Sequence, residues 1–314
     1  MKPTIKFSVI SPVYGAATIL PELINRITIV LAKITDNYEV ILVEDNSPDN
    51  SWEIIKQLSK MNDHIIGLHL SRNFGQQNAL NAGFDFATGD YIVTLDCDLQ
   101  DEPENIILLY NKALEGYDVV FAGRLERQDS FLKIAASKLF YQILGYLTET
   151  EQDYSIANFT LYNKKAVEAM SKIGDYQRYY PMLNRWIGYR TIKIPVKHAA
   201  RKDQKTSSYS FKKRIKLAFN TIIAFSDKPL RLVLKFGILL VLSSLVLAMT
   251  LVIRYFVLGQ NVSGWLSVFL SIWLLAGIMI IILGLIGIYL GKIFEKVKGR
   301  PTYLVSEQTS RKQE

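Results

Sequence analysis

Cysteine is almost absent. Cys97 stands alone in 314 residues, which excludes an internal disulfide framework and fits a reducing compartment. Histidine is scarce too: His64, His69 and His198 show no metal-ligand spacing, so a histidine-based metal centre is not expected. No G-x-G-x-x-G follows the first strand-like run, where Pro12-Val13-Tyr14-Gly15 stands instead, and this argues against a Rossmann dehydrogenase. No signal peptide is expected, because Met1–Lys6 leads directly into strand-like Phe7–Ile10. The most informative absence is of charge: from Tyr255 to Gly291 there is no Asp, Glu, Lys or Arg.

What is present divides the chain in two. The first 230 residues mix charged and apolar residues as soluble domains do. Strand-like runs at Phe7–Ser11, Tyr38–Glu44, Ile65–Leu70 and Tyr91–Asp96 alternate with helical patterns at Ile19–Ile34, Ser51–Met61 and Gln76–Ala87. That alternation predicts an α/β fold, a mostly parallel sheet with helices on both faces. Further elements follow: helix Ile106–Leu114, strand Asp118–Gly123 and a long helix over Ser130–Leu147. Parallel sheets place ligands at the carboxyl ends of their strands, so the polar residues there are the first candidates for a site.

The C-terminal third predicts membrane insertion. Two apolar runs, about Leu232–Val257 and Trp265–Leu290, flank the turn-rich Gly259–Gly264, and about 20 residues suffice to cross the hydrocarbon. Lys235 and Arg254 sit near the ends of the first run, where such side chains snorkel. Lys212–Phe225 reads as an amphipathic helix for the interface, with Ile215, Phe219, Ile222 and Ile223 on one side; core packing would give the same periodicity. The net charge of +8 does not point to nucleic acid. Much of it lies in Arg201–Lys216, with seven Lys/Arg against one Asp just before the apolar region, where lipid phosphate is the expected partner. Lys292, Lys296, Lys298 and Arg300 follow the second run, while Lys228 and Arg231 precede the first. The positive-inside rule then predicts a multi-pass plasma-membrane protein with both ends cytoplasmic, Arg254 being the lone exception.

Chemistry concentrates in Tyr91–Glu104, YIVTLDCDLQDEPE. A β-rich run ends in Asp96-Cys97-Asp98, two carboxylates one residue apart at a strand end. Hard oxygen ligands at that spacing suit a Mg²⁺ or Mn²⁺ that also takes diphosphate oxygens, although acidic loops of this kind are often only solvated. Tyr38–Asn50 is a second strand ending in acids, and its Asp45 is placed to bond a base or ribose.

The motifs SVISPVYG (Ser8–Gly15), VEDNSPD (Val43–Asp49), SRNFGQQNALNAGFDFATGD (Ser71–Asp90) and LDCDLQDEPE (Leu95–Glu104) resemble the family 2 glycosyltransferases. More narrowly they resemble the polyprenyl- and dolichyl-phosphate sugar synthases. The resemblance implies the nucleotide-sugar-binding GT-A type fold and an inverting, metal-dependent transfer. It implies that the sugar passes from a nucleotide donor, such as UDP-glucose, to polyprenyl phosphate, and that the product serves cell-surface glycan modification. It implies that Pro12, Tyr14 and Asp45 hold the nucleobase and ribose, and that Gln76 and Gln100 lie near the donor. Asp96 and Asp98 match the metal-binding pair. Arg124, Arg127, Arg178, Arg201 and Lys205 fall at basic positions that meet the acceptor or diphosphate. Asp153 matches an acid that acts as base or orients the acceptor.

The corresponding division is a cytoplasmic catalytic domain over 1–211, an interface helix and linker over 212–231, a two-helix membrane region over 232–290 and a cytoplasmic tail over 291–314. Nucleotide sugar, polyprenyl phosphate and lipid membrane are the expected partners, nucleic acid is not, and homo-oligomerisation is left open. Two departures are visible. Glu44 stands where the family more often has Asp, and RKDQKTSSYS lacks the family's usual glycine. Two other readings compete: a non-catalytic nucleotide- or lipid-binding membrane module, and a polysaccharide synthase. The latter needs more membrane helices and a Gln-x-x-Arg-Trp motif, of which only Arg185-Trp186 is present.

Overall fold

The computed structural model describes residues 5–124, 145–146, 156–173, 180–196, 222, 226–258 and 264–309. Contacts divide these into two compact units: residues 5–124, 156–196 and 301–309 in one, and residues 145–146, 222 and 226–300 in the other.

The first unit is built on an eight-stranded sheet. In chain order its elements are β1 (Phe7–Val13), α1 (Leu20–Leu31), β2 (Tyr38–Glu44), α2 (Ser51–Met61), β3 (Ile65–Leu70), α3 (Gln76–Phe86) and β4 (Tyr91–Thr94). A short 3₁₀ turn (Pro103–Asn105) leads to α4 (Ile106–Leu114) and β5 (Val119–Arg124), followed by β6 (Ile156–Asn163), α5 (Lys164–Lys172), α6 (Tyr180–Trp186) and β7 (Thr191–Val196). The strand order is β7-β5-β6-β4-β1-β2-β3-β8, where β8 is Val305–Gln308. Pairing is parallel between β1 and β2, β1 and β4, β2 and β3, and β5 and β7, and antiparallel where β6 meets β4 and β5 and where β8 meets β3. The α/β reading therefore holds, and the sheet is mixed.

Strand residues alternate between two cores, as a pleat requires. Val9, Val40, Leu42 and Val93 face a cluster that includes Leu20, Leu23 and Ile27 of α1 and Leu109 of α4. Ile10, Ile41, Val43 and Ile92 face the other cluster, with Leu80 and Phe84 of α3. Both faces of β1 and β2 are thus covered by helices, and every residue of these strands is buried. α1 begins with Pro21 in its first turn, where a missing N–H costs nothing, and buries one stripe at helical spacing. α3 lies so close to β1 that a Cβ on Gly83 would stand 2.2 Å from Ile10 Cγ2. That contact fixes where the N-terminus of α3 emerges.

The second unit holds two long helices, α7 (Lys228–Leu258) and α8 (Trp265–Val297). Stretches at Lys228–Leu247 and Ser271–Val297 are long and apolar enough to cross a membrane, with mean hydropathy of 2.2 and 2.6, and neither is buried by protein. Tyr289 of α8 donates its hydroxyl to Ser226 O at 2.7 Å, just before α7, and Lys228 Nζ donates to Tyr146 O at 2.6 Å.

The sequence boundaries shift modestly. β1 runs on to Val13 and β4 stops at Thr94, before Asp96. Val305–Gln308, expected in a tail, forms the edge strand β8. Most of the helix expected over Ser130–Leu147, the amphipathic Lys212–Phe225 apart from Ile222, and most of the Gly259–Gly264 turn lie outside the described residues.

Candidate active site

The strand order reverses at β1: β2 lies on one side of it and β4 on the other. The loops leaving the carboxyl ends of β1 and β4 therefore diverge and open a crevice, the usual ligand site of such sheets. Register makes these ends adjacent, with Ile10 opposite Thr94 and Leu95 N donating to Ile10 O at 3.1 Å. Pro12 is buried in β1, while Tyr14, just beyond the strand, is 56% exposed.

Asp96 and Asp98 lie in the turn after β4, both partly exposed. Asp96 is held from two directions. Gln76 Nε2, from the first residue of α3, donates to its Oδ1 at 2.7 Å. Asn158 Nδ2, from β6, reaches both of its oxygens at 3.3 Å. Asp98 Oδ1 accepts from Gln100 N at 3.1 Å, which closes the turn and brings Gln100 into the same loop. Between them Leu99 has a φ of +57°, a left-handed conformation that is unfavourable for a branched side chain. Its side chain is buried at 2% exposure, and that burial offsets the strain.

Asp96 and Asp98 are the two acids that an ion would find at this turn. Among the described residues no group of three His, Cys, Asp or Glu side chains gathers as a closed cage. The donor set fits a hard divalent cation that completes its shell with substrate phosphate and water. Between the two acids, burial and the neighbouring Asp96 charge push the Cys97 thiol up to about 12, which disfavours the thiolate.

Asp45 sits at the end of β2 and is 4% exposed. Both of its oxygens are engaged by the loop entering α3: Oδ1 accepts from Phe74 N at 2.6 Å and Oδ2 from Gly75 N at 2.8 Å. Burial pushes this carboxyl above its ordinary value, while those two N–H groups pull it back. Gly75, at a φ of +89°, takes a backbone conformation that glycine adopts freely. In this geometry Asp45 anchors the loop that carries Gln76.

The loop after β2 is tied to the loop after β1. Ser47 Oγ accepts from Gly15 N at 3.1 Å, and Asp49 Oδ2 accepts from Ala17 N at 3.0 Å. Beyond the acids, Arg26 of α1 grips Glu104 with two bonds, Nε to Oε1 at 2.9 Å and Nη2 to Oε2 at 2.6 Å.

The structure thus gathers Gln76, Asp96, Asp98 and Gln100 at one strand end, and Asp45 holds the adjoining loop. Arg124 closes β5, opposite Val196 of β7 in register. Arg127, Asp153, Arg178, Arg201 and Lys205 lie outside the described residues. Asn158 was missed by sequence reading, since nothing in the IANF run of β6 shows that it faces Asp96.

Comparison with known proteins shows the family and the fold. The sequence pattern of glycosyl transferase family 2 matches residues 8–181. An uncharacterized glycosyltransferase of Synechocystis is 36% identical over 305 residues, covering 97% of this chain and 96% of its own. Among solved structures, glucosyl-3-phosphoglycerate synthase from Mycobacterium tuberculosis bound to Mn²⁺, UDP-glucose and phosphoglyceric acid aligns with a TM-score of 0.51 at 13% identity. That alignment covers 70% of this chain and 78% of the synthase. The same synthase with Mg²⁺ and UDP gives 0.50 at 13% identity, over 70% of this chain and 78% of that one. At this identity the likeness shows a shared GT-A fold. With the family pattern covering more than half the chain and a full-length relative that shares it, this enzyme belongs to glycosyl transferase family 2.

Proposed function

We propose that this glycosyltransferase moves a hexose from a nucleotide donor, UDP-glucose being the first choice, onto polyprenyl phosphate at the cytoplasmic face of the plasma membrane. One observation carries the acceptor class: the sheet that bears the Asp96–Asp98 turn is interrupted in sequence by the two apolar helices. β7 precedes α7 and α8, and β8 follows them, in the same sheet. The chain thus returns after the apolar pair to the sheet it left, and this connectivity supports a reading of two crossings with both ends on the cytoplasmic side. An acceptor dissolved in the hydrocarbon is the substrate such an arrangement serves.

The chemistry needed is modest. A phosphate monoester is ionised near neutrality, so its oxygen attacks the anomeric carbon without a strong base. The new C–O bond forms as the bond to the nucleotide diphosphate breaks, and the diphosphate leaves with the electron pair, inverting the carbon. Asp96 and Asp98 would hold a Mg²⁺ or Mn²⁺, which when bound neutralises charge on the departing diphosphate. Gln76 and Asn158 orient Asp96, and Gln100 N fixes Asp98. The loops bearing Pro12, Tyr14 and Asp45 hold the base and ribose. Arg124, Arg127, Arg178, Arg201 and Lys205 meet the two anions that must approach one another, and Asp153 orients the acceptor or takes a proton.

The test incubates detergent-purified protein with Mg²⁺, undecaprenyl phosphate and a panel of UDP-, GDP- and dTDP-sugars, and identifies the lipid product by mass. A polyprenyl phosphate carrying one added hexose is the expected product. Turnover of a nucleotide sugar only with a soluble acceptor would overturn the reading.

A further inference from the structure

The strand register places three side chains in a row across the sheet edge: Glu44 of β2 is opposite His69 of β3, and His69 is opposite Glu307 of β8. Glu44 is buried at 1% exposure. One of its oxygens accepts from Ser47 N and the other lies against His69 Nδ1. The His69 ring is stacked on Trp52 of α2, with centroids 5.1 Å apart and planes 21° from parallel. Trp52 Nε1 in turn donates to Glu307 Oε2 at 2.9 Å. The His69 carbonyl accepts from Ser306 Oγ at 3.1 Å, so β8 holds both the backbone and the ring surroundings of His69.

β8 itself is firmly seated. Gly67 N donates to Thr309 Oγ1 at 2.8 Å, and Ser71 N donates to Leu304 O at 2.9 Å. Tyr303 donates its hydroxyl to Asp85 Oδ2 of α3 at 2.9 Å. On the other side, what Glu44 fixes is the loop beginning at Asp45. Ser47 of that loop accepts from Gly15, and Asp45 accepts from Phe74 and Gly75. Glu44 thus holds the middle one of the three loops on which the donor is proposed to rest, and Ser47 and Asp45 of that loop tie it to the other two.

We infer that Glu44 and His69, braced by Trp52 and by Glu307 of β8, are positioning residues for the nucleotide-binding loops. The segment that follows the membrane helices thereby completes the donor site of a distant part of the chain. The inference rests on the reading that these loops bind the nucleotide of the donor. An aspartate at position 44 is one methylene shorter and would not span from Ser47 N to His69. The glutamate here and the imidazole opposite it are thus one device.

The experiment uses the full-length protein in detergent and measures nucleotide-sugar binding by titration calorimetry alongside transfer kinetics. His69→Ala should weaken donor binding and raise donor KM by about tenfold, the scale of losing a ligand's supporting partner, with kcat and acceptor KM within about twofold of wild type. Glu307→Ala should weaken donor binding by about fivefold, and Glu307→Gln, whose amide oxygen still accepts from Trp52, should restore it. Trp52→Phe keeps the stack and loses the bond, so it should match Glu307→Ala and serves if His69→Ala fails to fold. Donor affinity unchanged in Glu307→Ala and Trp52→Phe, or an equal loss in kcat and both KM values, would overturn the inference while leaving the donor reading intact. Wild-type protein that binds no nucleotide sugar at all would overturn both.

Discussion

Gln76 Nε2 stands 2.7 Å from Asp96 Oδ1, so the first side chain of α3 holds the first acid of the turn after β4. Asn158 approaches the same carboxylate from β6. Asp96 is therefore aimed by groups from two elements outside its own turn.

Replacing Gln76 or Asn158 by Ala should leave the fold intact and raise the metal concentration for half-maximal activity by about 10- to 100-fold, with a smaller loss at saturating metal. A metal titration of transfer activity measures it. An unchanged metal requirement in both variants would remove these residues from the site.

Asp96→Asn and Asp98→Asn should each lower turnover by at least about 100-fold, because each withdraws a negative charge from the proposed metal pair. Far-UV circular dichroism and the melting temperature should stay close to wild type, since both side chains sit in a turn outside the cores. Near-normal activity with metal dependence retained would sink the assignment.

The Arg26–Glu104 pair gives a pH-dependent contribution to stability. The Arg26 hydrogen bonds, working against burial, hold the Glu104 carboxyl below its ordinary 4.5. A depressed carboxylate stabilises the folded state above its unfolded pKa and loses that contribution as pH falls through the folded value. Both side chains are partly exposed, so the contribution is about 0.2–1 kcal/mol after solvent screening. The melting temperature of Glu104→Gln should lie slightly below wild type at pH 7 and converge with it below pH 4.5. A difference that persists or grows in acid would contradict the pairing.

The proposed topology places Gly259–Gly264 outside and the sheet inside. In a Cys97→Ser background, a single cysteine introduced by Asn261→Cys should react with a membrane-impermeant maleimide in intact cells. Reaction only after the cytoplasmic face is opened would reverse the orientation.

The sequence alone determined what depends on short range. Alternating strand and helix patterns announced the α/β sheet, and Asp96-Cys97-Asp98 at the end of an apolar run marked the turn of the candidate site. The uncharged Tyr255–Gly291 marked the second apolar helix, because spacing within one element is set by that element's own geometry. Tertiary structure decided what depends on lateral pairing. Asn158 meets Asp96 across 62 positions, and Glu307 meets Trp52 across 255, only because β6 and β8 dock beside strands remote in sequence. Asp45 was legible as a strand-end acid, but its engagement by Phe74 and Gly75 was not, since the backbone N–H groups that take its oxygens carry no sequence signal. The C-terminal segment reads as a polar tail because an edge strand has one partner and only weak patterning. Its place is set by ladder bonds to β3, which exist only once the rest of the sheet has formed.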